Sequence, residues 1–304
     1  MQEEAFSVTF WGVRGGYPKP GPATNRFGGN TTCIEVRAAG RLLIFDAGTG
    51  IIALGNRLAE QHRKDKQPIV ATMLFTHTHH DHTQGYPFFA PALFGSSVLH
   101  IFGPRAFHED LEAVLARSML PSVFPVTSDD LQSLRVTRNV SASDIIVLPQ
   151  GSDAPQVCNA YREREKCCES EATVRILRSY AHPQGVLVYR VEVDGKRLVI
   201  ATDVEGYAGG DKRLINFARN ADVLIHDGEY TAEEYLDAKS PRQGWGHSTW
   251  EMAVEVAQAA GAKRLVLTHH NVHHDDAFLE QMERDARAVF PEAIMAYEGL
   301  KIEI

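Results

Sequence analysis

Short apolar runs alternate along this chain with segments of helical periodicity. Near the amino terminus the runs SVTFWGV, TTCIEV and RLLIFDAG predict strands, and Ala39-Gly40 between the last two predicts a hairpin turn. An apolar stripe with helical spacing predicts a helix over residues 51–65. The run ATMLFT predicts the next strand, and it leads directly into a cluster of histidines.

The second half of the chain continues this alternation more regularly. VLVYRVEVDGKRLVIAT predicts a hairpin that turns at Asp194-Gly195, and DVLIHD and RLVLTH predict buried strands. STWEMAVEVAQAAG predicts a helix with a capping box at Ser248 and Glu251 and a stop at Gly261, and DDAFLEQMERDARAVF predicts the last helix. This order indicates an α/β fold. Because no linker divides the chain, we expect residues 1–304 to form one domain.

The middle of the chain carries weaker patterns. We expect a helix over 105–122, and short strands and loops over 125–170. The aromatic run at 86–94 favours a helix buried against the sheet over a surface that stacks a nucleobase. The cysteines are Cys33, Cys158, Cys167 and Cys168, and none form a C-x-x-C pair, which argues against a zinc knuckle. We expect Cys33 to be a buried thiol and the adjacent Cys167 and Cys168 to be free thiols, with a regulatory thiol or a disulfide as the alternative.

Composition and charge exclude several classes of protein. Hydrophobic residues make up 44% of the 304 residues, which is typical of a soluble globular protein. The net charge of −8 disfavours binding to duplex nucleic acid, which depends on basic side chains at the phosphates. The segment MQEEAFSVTF lacks the features of a secretory signal, and prolines and glycines interrupt the apolar stretch at 86–103. We therefore expect a cytoplasmic protein without a membrane segment.

Candidate chemistry lies at the ends of the predicted strands. Four apolar runs end in residues that can bind a metal: at His77, at Asp203, at His226-Asp227 and at His269. Sites in α/β proteins form outside the carboxyl ends of strands, so these side chains are expected to converge.

The densest cluster is His77-Thr78-His79-His80-Asp81-His82. In extended chain, residues two apart face the same side, so His77 and His79 can reach one ion. Asp81 and His82 follow where the chain must turn, and they can face a second ion. The alternative, a solvated polar loop, explains one or two histidines but poorly explains the order H-x-H-x-D-H.

This H-x-H-x-D-H motif, with FDAGTG upstream, resembles the metallo-β-lactamase fold superfamily. The segments Gly12-Val13-Arg14-Gly15 and Gly28-Gly29-Asn30-Thr31 make the chain most similar to its phosphodiesterase branch, which includes ribonuclease Z and cyclic phosphodiesterases. The resemblance implies a four-layer αββα sandwich, with two mixed sheets back to back and helices outside. It also implies a homodimer.

The resemblance also implies a site for two metal ions. His77, His79 and His182 would bind the first ion, Asp81, His82 and His269 the second, and Asp203 would bridge them. Such ligands suit Zn²⁺, and Mn²⁺ or Fe also fit. Strand phase favours His269 over His270, while His273 and His274 remain weaker candidates. Taken alone, His182 is typical of a surface or core histidine, and Asp203 of a turn residue.

His247 discriminates best among the branches of this family. It lies in Gly246-His247-Ser248-Thr249, directly before a predicted helix whose amino terminus favours an anion. The resemblance implies that His247 donates a proton to a leaving oxygen or stabilises charge on phosphorus, whereas a helix-capping residue without such a role is the alternative. We expect Asp46, and one of His226 and Asp227, to orient a ligand histidine.

The predicted function is hydrolysis of a phosphodiester by a metal-bridging hydroxide, with Asp81 orienting the water and His247 assisting. Ribonuclease Z holds its tRNA-grasping arm between the third ligand motif and the bridging aspartate. Here only twenty residues separate His182 from Asp203, which favours a small substrate such as a cyclic nucleotide or a cyclic sugar phosphate. The alternatives are hydrolysis of a carboxylic ester, lactone or thioester on the same metals, and a non-catalytic metal-binding scaffold.

Overall fold

A computed structural model describes residues 6–106, 109–163, 172–207 and 209–304. Two β-sheets account for the strands in these ranges. The first sheet contains β1 (Ser7–Gly12), β2 (Cys33–Ala38), β3 (Arg41–Phe45), β4 (Val70–Leu74), β5 (Val98–Gly103), β6 (Leu134–Asn139) and β15 (Lys301–Glu303). The second contains β7 (Asp144–Leu148), β8 (Gln156–Asn159), β9 (Ala172–Ser179), β10 (Val186–Val193), β11 (Lys196–Ala201), β12 (Val223–Asp227), β13 (Leu265–Thr268) and β14 (Ala293–Met295).

Both sheets are mixed. The strand order is β15-β1-β2-β3-β4-β5-β6 in the first sheet and β14-β13-β12-β11-β10-β9-β7-β8 in the second. Strands β3 to β6 run parallel, and so do β11 to β14. The helices are α1 (Gly50–Asp65), α2 (His80–Thr83), α3 (Leu111–Arg117), α4 (Lys212–Phe217), α5 (Ala232–Tyr235), α6 (Trp250–Ala260) and α7 (Asp276–Val289).

Alternating side chains of the strands build separate cores on the two faces of each sheet. The central core lies between the sheets and includes Phe10, Leu43 and Phe45 from the first and Val174, Ile200 and Ile225 from the second. Outer cores join the first sheet to α1 and α3, and the second sheet to α4, α6 and α7. The layers therefore follow the order helix, sheet, sheet, helix, as the resemblance implied.

Both predicted hairpins form at dipeptides with positive φ. Ala39 and Gly40 have φ of 47° and 70° between β2 and β3, and Asp194 and Gly195 have φ of 49° and 80° between β10 and β11. Two consecutive positive φ values give a turn whose twist matches that of the flanking strands. The hairpin predictions are therefore confirmed.

Three local predictions need correction. The helix predicted over 105–122 spans only Leu111–Arg117, because Asp110 adopts an extended conformation before it and Pro121 disfavours helix beyond Met119. Thr249, not Ser248, caps α6 by accepting from Met252 N, since the Ser248 hydroxyl turns inward to Val204 O. The run at 86–94 forms two short 3₁₀ turns, each with a proline in its first turn, rather than one helix.

The remaining predictions concern cysteines and membrane segments. Cys33 and Cys158 are buried free thiols, whereas Cys167 and Cys168 lie outside the described residues. Residues 125–163 do contain short strands and loops. Across the described ranges, we find no helix with the length and apolar composition required to cross a bilayer.

Candidate metal centre and active site

The strand ends gather at one edge of the two sheets. His77 follows β4, Asp203 follows β11, Asp227 ends β12 and His269 follows β13. His182 follows β9, which pairs antiparallel with β10 and therefore points toward the same edge as β11. Strand direction thus brings together side chains that lie far apart in the sequence.

The first group consists of His77, His79 and His182. Their ring centroids lie 4.4 to 4.8 Å from one another. His182 Nδ1 donates to the carbonyl of Gly246 at 3.0 Å, so its Nε2 is left unprotonated and lies 3.0 Å from His79 Nδ1. An imidazole fixed in this way presents a lone pair to the interior of the group, as a metal ligand requires.

The second group consists of Asp81, His82, Asp203 and His269, and all four are buried. His82 Nε2 lies 3.4 Å from Asp81 Oδ2 and 3.3 Å from Asp203 Oδ1. His269 Nε2 lies 3.2 Å and 3.0 Å from the same two atoms. Asp203 Oδ1 is also 3.8 Å from His77 Nε2, so this carboxylate stands between the two groups.

Each imidazole of the second group also contacts a further carboxylate through its Nδ1 atom. Asp46 Oδ2 accepts from His82 Nδ1 at 2.9 Å and from the Thr76 hydroxyl at 2.8 Å, a contact of the kind that was predicted for Asp46. Glu229 Oε2 lies 3.2 Å from His269 Nδ1, a contact that the sequence analysis missed. Both contacts direct the Nε2 atoms of His82 and His269 into the cluster.

Three residues of this region have left-handed backbones. Asp46, Asp203 and His269 have φ of 59°, 56° and 62°. Residues other than glycine rarely adopt positive φ, and such strain persists where the surrounding structure enforces it, commonly at functional sites. Here each of the three conformations turns a side chain at the end of a strand toward the cluster.

The donor set fits metal ions. Among the described residues, His77 Nε2 and His82 Nε2 are buried without a hydrogen-bond partner, which is costly unless another group occupies the space between them. Burial and the neighbouring His82 lower the pKa of His77 well below its usual range, so His77 is neutral. Burial alone would raise the pKa of Asp203, but His269 and His82 hold it well below its usual range. Neutral imidazoles with ionised carboxylates are the ligands that divalent transition metals prefer.

His247 lies beside both groups. Its ring centroid is 5.0 Å from that of His182, and it stacks on His269 at 4.8 Å. Its Nδ1 donates to Asp227 Oδ2 at 2.7 Å and lies 3.3 Å from Glu229 Oε2. Burial lowers the pKa of His247, but these two carboxylates outweigh that effect and raise it to about 9. The other ring nitrogen is therefore available as a proton donor toward the cluster.

His226 and Asp227 make contacts that differ from the predicted one, in which one of them orients a ligand histidine. Asp227 holds His247 rather than one of the predicted metal ligands. His226 Nδ1 donates to the backbone carbonyl of Asp227, and its ring is buried away from the cluster.

The segment Arg14-Gly15-Gly16 forms a wall of the centre. The backbone N–H of Gly16 donates to Asp81 Oδ2 at 2.9 Å and fixes that carboxylate. Gly15 packs so tightly that a Cβ there would lie 2.2 Å from Cε1 of His269. The buried Arg14 ties this segment to the carbonyls of Gly28, Asn271 and His274. The sequence indicated a motif here but not these contacts.

The other histidines near the last strand end take different partners. His270 points away from the cluster, and its Nε2 donates to the Ala296 carbonyl at 2.7 Å, in agreement with the strand phase. His274 is buried, with Nε2 2.7 Å from Glu234 Oε1. His273 is exposed. The cluster therefore contains every residue that was predicted as a ligand or proton donor: His77, His79, Asp81, His82, His182, Asp203, His247 and His269.

Comparisons with known proteins agree with this architecture. Residues 41–270 match the family model described as a beta-lactamase superfamily domain. The chain is 26% identical over 273 residues to ribonuclease Z of Bacillus velezensis, covering 80% of this chain and 84% of that protein. It is 28% identical over 325 residues to ribonuclease Z of Methanothermobacter thermautotrophicus, covering 98% and 96%.

A solved structure shares the whole fold. The metallo-beta-lactamase fold protein YhfI from Bacillus subtilis aligns with a TM-score of 0.67 at 20% identity, over 99% of this chain and 100% of that one. The family model covers most of the chain, and the two-sheet architecture matches this neighbour. The chain therefore belongs to the beta-lactamase superfamily, as a metal-dependent hydrolase with the metallo-β-lactamase fold.

Proposed function

We propose that this protein hydrolyses a small phosphodiester, such as a cyclic nucleotide or a cyclic sugar phosphate. The observation that carries the proposal is the position of His247, whose ring lies about equally far from His182 of the first group and His269 of the second. Phosphodiester hydrolysis requires charge neutralisation at the phosphate and a proton for the leaving oxygen. A metal centre with a carboxylate-held histidine beside it can meet both requirements.

We assign two divalent ions to the centre, with Zn²⁺ as the first choice and Mn²⁺ or Fe as alternatives. His77, His79 and His182 would hold one ion, Asp81, His82 and His269 the other, and Asp203 would contact both. When bound, the ions would increase the acidity of a water molecule and neutralise charge on the phosphate oxygens.

The protein's own groups would orient the reactants. The N–H of Gly16 holds Asp81 at the inner face of the centre, where its carboxylate can accept a hydrogen bond from the attacking water. His247 would donate its Nε2 proton to the leaving oxygen, and Asp227 would stabilise the charged imidazole before transfer. A low-dielectric surrounding strengthens both interactions because these side chains are largely buried.

A small substrate suits the space around the centre. The β10–β11 hairpin fills the interval between His182 and Asp203, where ribonuclease Z carries its tRNA-grasping arm. An open cavity of about 590 Å³ beside His182 is lined by Tyr180 and Tyr207 and can receive a leaving group. The ribonuclease Z relatives support phosphodiester chemistry, while the proposed substrate differs from theirs in size.

The test is a metal analysis of the purified protein combined with hydrolysis of bis(p-nitrophenyl) phosphate before and after chelation. We expect about two ions per chain, and hydrolysis that is lost with the chelator and restored by Zn²⁺ or Mn²⁺. Metal without phosphodiester cleavage would favour an ester, lactone or thioester substrate. A protein that binds no metal after reconstitution would reject the enzyme and leave a scaffold role.

Replacement of His247 separates the two enzymatic functions. His247→Ala should remove most cleavage of a cyclic nucleotide such as adenosine 2′,3′-cyclic phosphate at unchanged metal content, because its alkoxide leaving group needs the proton. Unchanged hydrolysis in this variant would favour an ester, lactone or thioester substrate. The homodimer and the cytoplasmic location stay predictions, and light scattering of the purified protein tests the first.

A further inference from the structure

A second cavity lies on the other side of the loop at 183–185. It measures about 260 Å³, and His77 and His79 of the first group form part of its wall. The rest of the lining comes from Thr78, Pro104, Arg105, Ala106, Arg178, Pro183, Gln184 and Gly185. None of these described residues is acidic, whereas two are arginines, so the charged side chains of the lining are positive.

Arg178 supplies the more enclosed of the two cations. It lies near the carboxyl end of β9, where its Nη2 donates to the Gln184 carbonyl at 3.1 Å and its guanidinium lies 5.5 Å from the ring centroid of Tyr180. Its Nε is buried and has no hydrogen-bond partner among the described residues. The Arg178 side chain lines the cavity, so its Nη groups can donate charge-assisted hydrogen bonds to an anionic ligand there.

Arg105 faces the same cavity from the end of the first sheet. Its Nε lies 3.2 Å from Asp110 Oδ1, and both side chains are largely exposed. Exposed ion pairs contribute little free energy, so Arg105 can exchange Asp110 for a ligand at small cost. Together the two arginines form a site for an anion in a cavity that borders the centre at His77 and His79.

We infer that this cavity binds a second anionic group, a phosphate monoester carried by the same small molecule as the scissile phosphodiester. The inference rests on the proposed function and specifies its substrate class. A cavity volume of about 260 Å³ accommodates a phosphate and part of a sugar ring. Since His77 and His79 belong to both regions, a molecule bound in the cavity reaches the centre directly.

The test compares two substrates that differ only in the second phosphate. These are adenosine 2′,3′-cyclic phosphate and the same compound with a 5′-phosphate. We expect wild-type protein to favour the 5′-phosphorylated compound roughly tenfold or more in kcat/KM, as charged hydrogen bonds of this kind provide. Arg178→Gln should abolish most of this preference, Arg105→Gln should reduce it, and Arg178→Lys should restore part of it.

Arg175→Gln is the matched control. Arg175 lies on the same strand β9, is exposed and pairs with Glu192 at 2.8 Å outside the cavity. This variant should keep both the activity and the preference of the wild type. Equal kcat/KM values for the two substrates in wild-type protein, or a preference that survives in Arg178→Gln, would overturn the inference.

A binding measurement separates this inference from the proposed function. Metal-free wild-type protein should bind adenosine 5′-monophosphate in titration calorimetry at least fivefold more tightly than Arg178→Gln does, and Arg175→Gln should match the wild type. If the metal-loaded protein cleaves neither substrate, the proposed function fails. In that case the calorimetry alone tests the anion site. Equal affinities of wild type and Arg178→Gln for adenosine 5′-monophosphate would reject that site.

Discussion

The Nδ1–H of His247 donates to Oδ2 of Asp227 across 2.7 Å, and Asp227 is fully buried. Asp227 ends β12, and its second oxygen accepts from the backbone N–H of Glu229 at 3.0 Å, so the carboxylate cannot easily turn away. This contact fixes the tautomer and the direction of the His247 ring, in the way that a buried carboxylate orients a catalytic histidine.

Asp227→Asn should therefore impair the proton donor without displacing it. An amide at this position can present an N–H to Nδ1 and select the wrong tautomer, and it cannot stabilise the charged ring. We expect kcat for a phosphodiester to fall by roughly two to four powers of ten. The metal content, measured by elemental analysis, should stay the same.

An exposed carboxylate provides the control for that variant. Asp153 pairs with Arg41 at 3.1 Å on the surface, so Asp153→Asn should leave kcat within about twofold of wild type. If Asp227→Asn retained full activity at unchanged metal content, the acid role of His247 would have to be abandoned.

A methyl group at position 15 should disturb the second metal group. In Gly15→Ala the new Cβ would lie 2.2 Å from Cε1 and 2.4 Å from Nδ1 of His269, so the ring must shift. We expect the variant to lose about half of its bound metal and most of its activity, measured by elemental analysis and phosphodiester hydrolysis. Gly95→Ala, where a Cβ would meet no atom within 4 Å, should behave as wild type. Full metal occupancy in Gly15→Ala would show that His269 is not a ligand.

The sequence predicted those parts of the structure that depend on local pattern. The hairpins at Ala39-Gly40 and Asp194-Gly195 depend on adjacent residues, and the convergence of His77 and Asp203 follows from strand direction alone. The contact of Gly15 with His269 joins positions 254 apart, and no local pattern indicates it.

Other features escaped prediction because neighbouring structure overrides local preference. Asp and His adopt positive φ more readily than most residues, but no local pattern at Asp46, Asp203 and His269 requires it, and the packing at the strand ends imposes it. Ser248 and Thr249 are equally suitable as helix caps by composition. Thr249 caps the helix because the Ser248 hydroxyl instead donates to the Val204 carbonyl, 44 residues away.

Loss of the Asp46 carboxylate, which accepts a hydrogen bond from His82 Nδ1, should weaken metal binding. Asp46→Asn suits the left-handed backbone at this position, since asparagine tolerates positive φ, and it retains an acceptor for Thr76. The NH2 group of the asparagine side chain, however, replaces the oxygen that accepts from His82 Nδ1. We expect the affinity for Zn²⁺ to fall by about 10- to 100-fold, measured by competition with a chromophoric chelator. An unchanged affinity would mean that Asp46 serves the fold rather than the metal.

Metal binding should release protons. Burial lowers the pKa values of His82 and His269, but Asp203 and Asp81 outweigh it and raise both well above the usual range. These carboxylates therefore favour the protonated form of both imidazoles in metal-free protein, and a metal must displace that proton because only the neutral ring is a ligand. The apparent affinity should then increase with pH, by about tenfold per unit for each proton released. Calorimetric titration with Zn²⁺ in buffers of different ionisation enthalpy measures this number directly. His269→Ala should release fewer protons than wild type, whereas release of none by the wild type between pH 6.5 and 8 would contradict the assignment of these two rings as ligands.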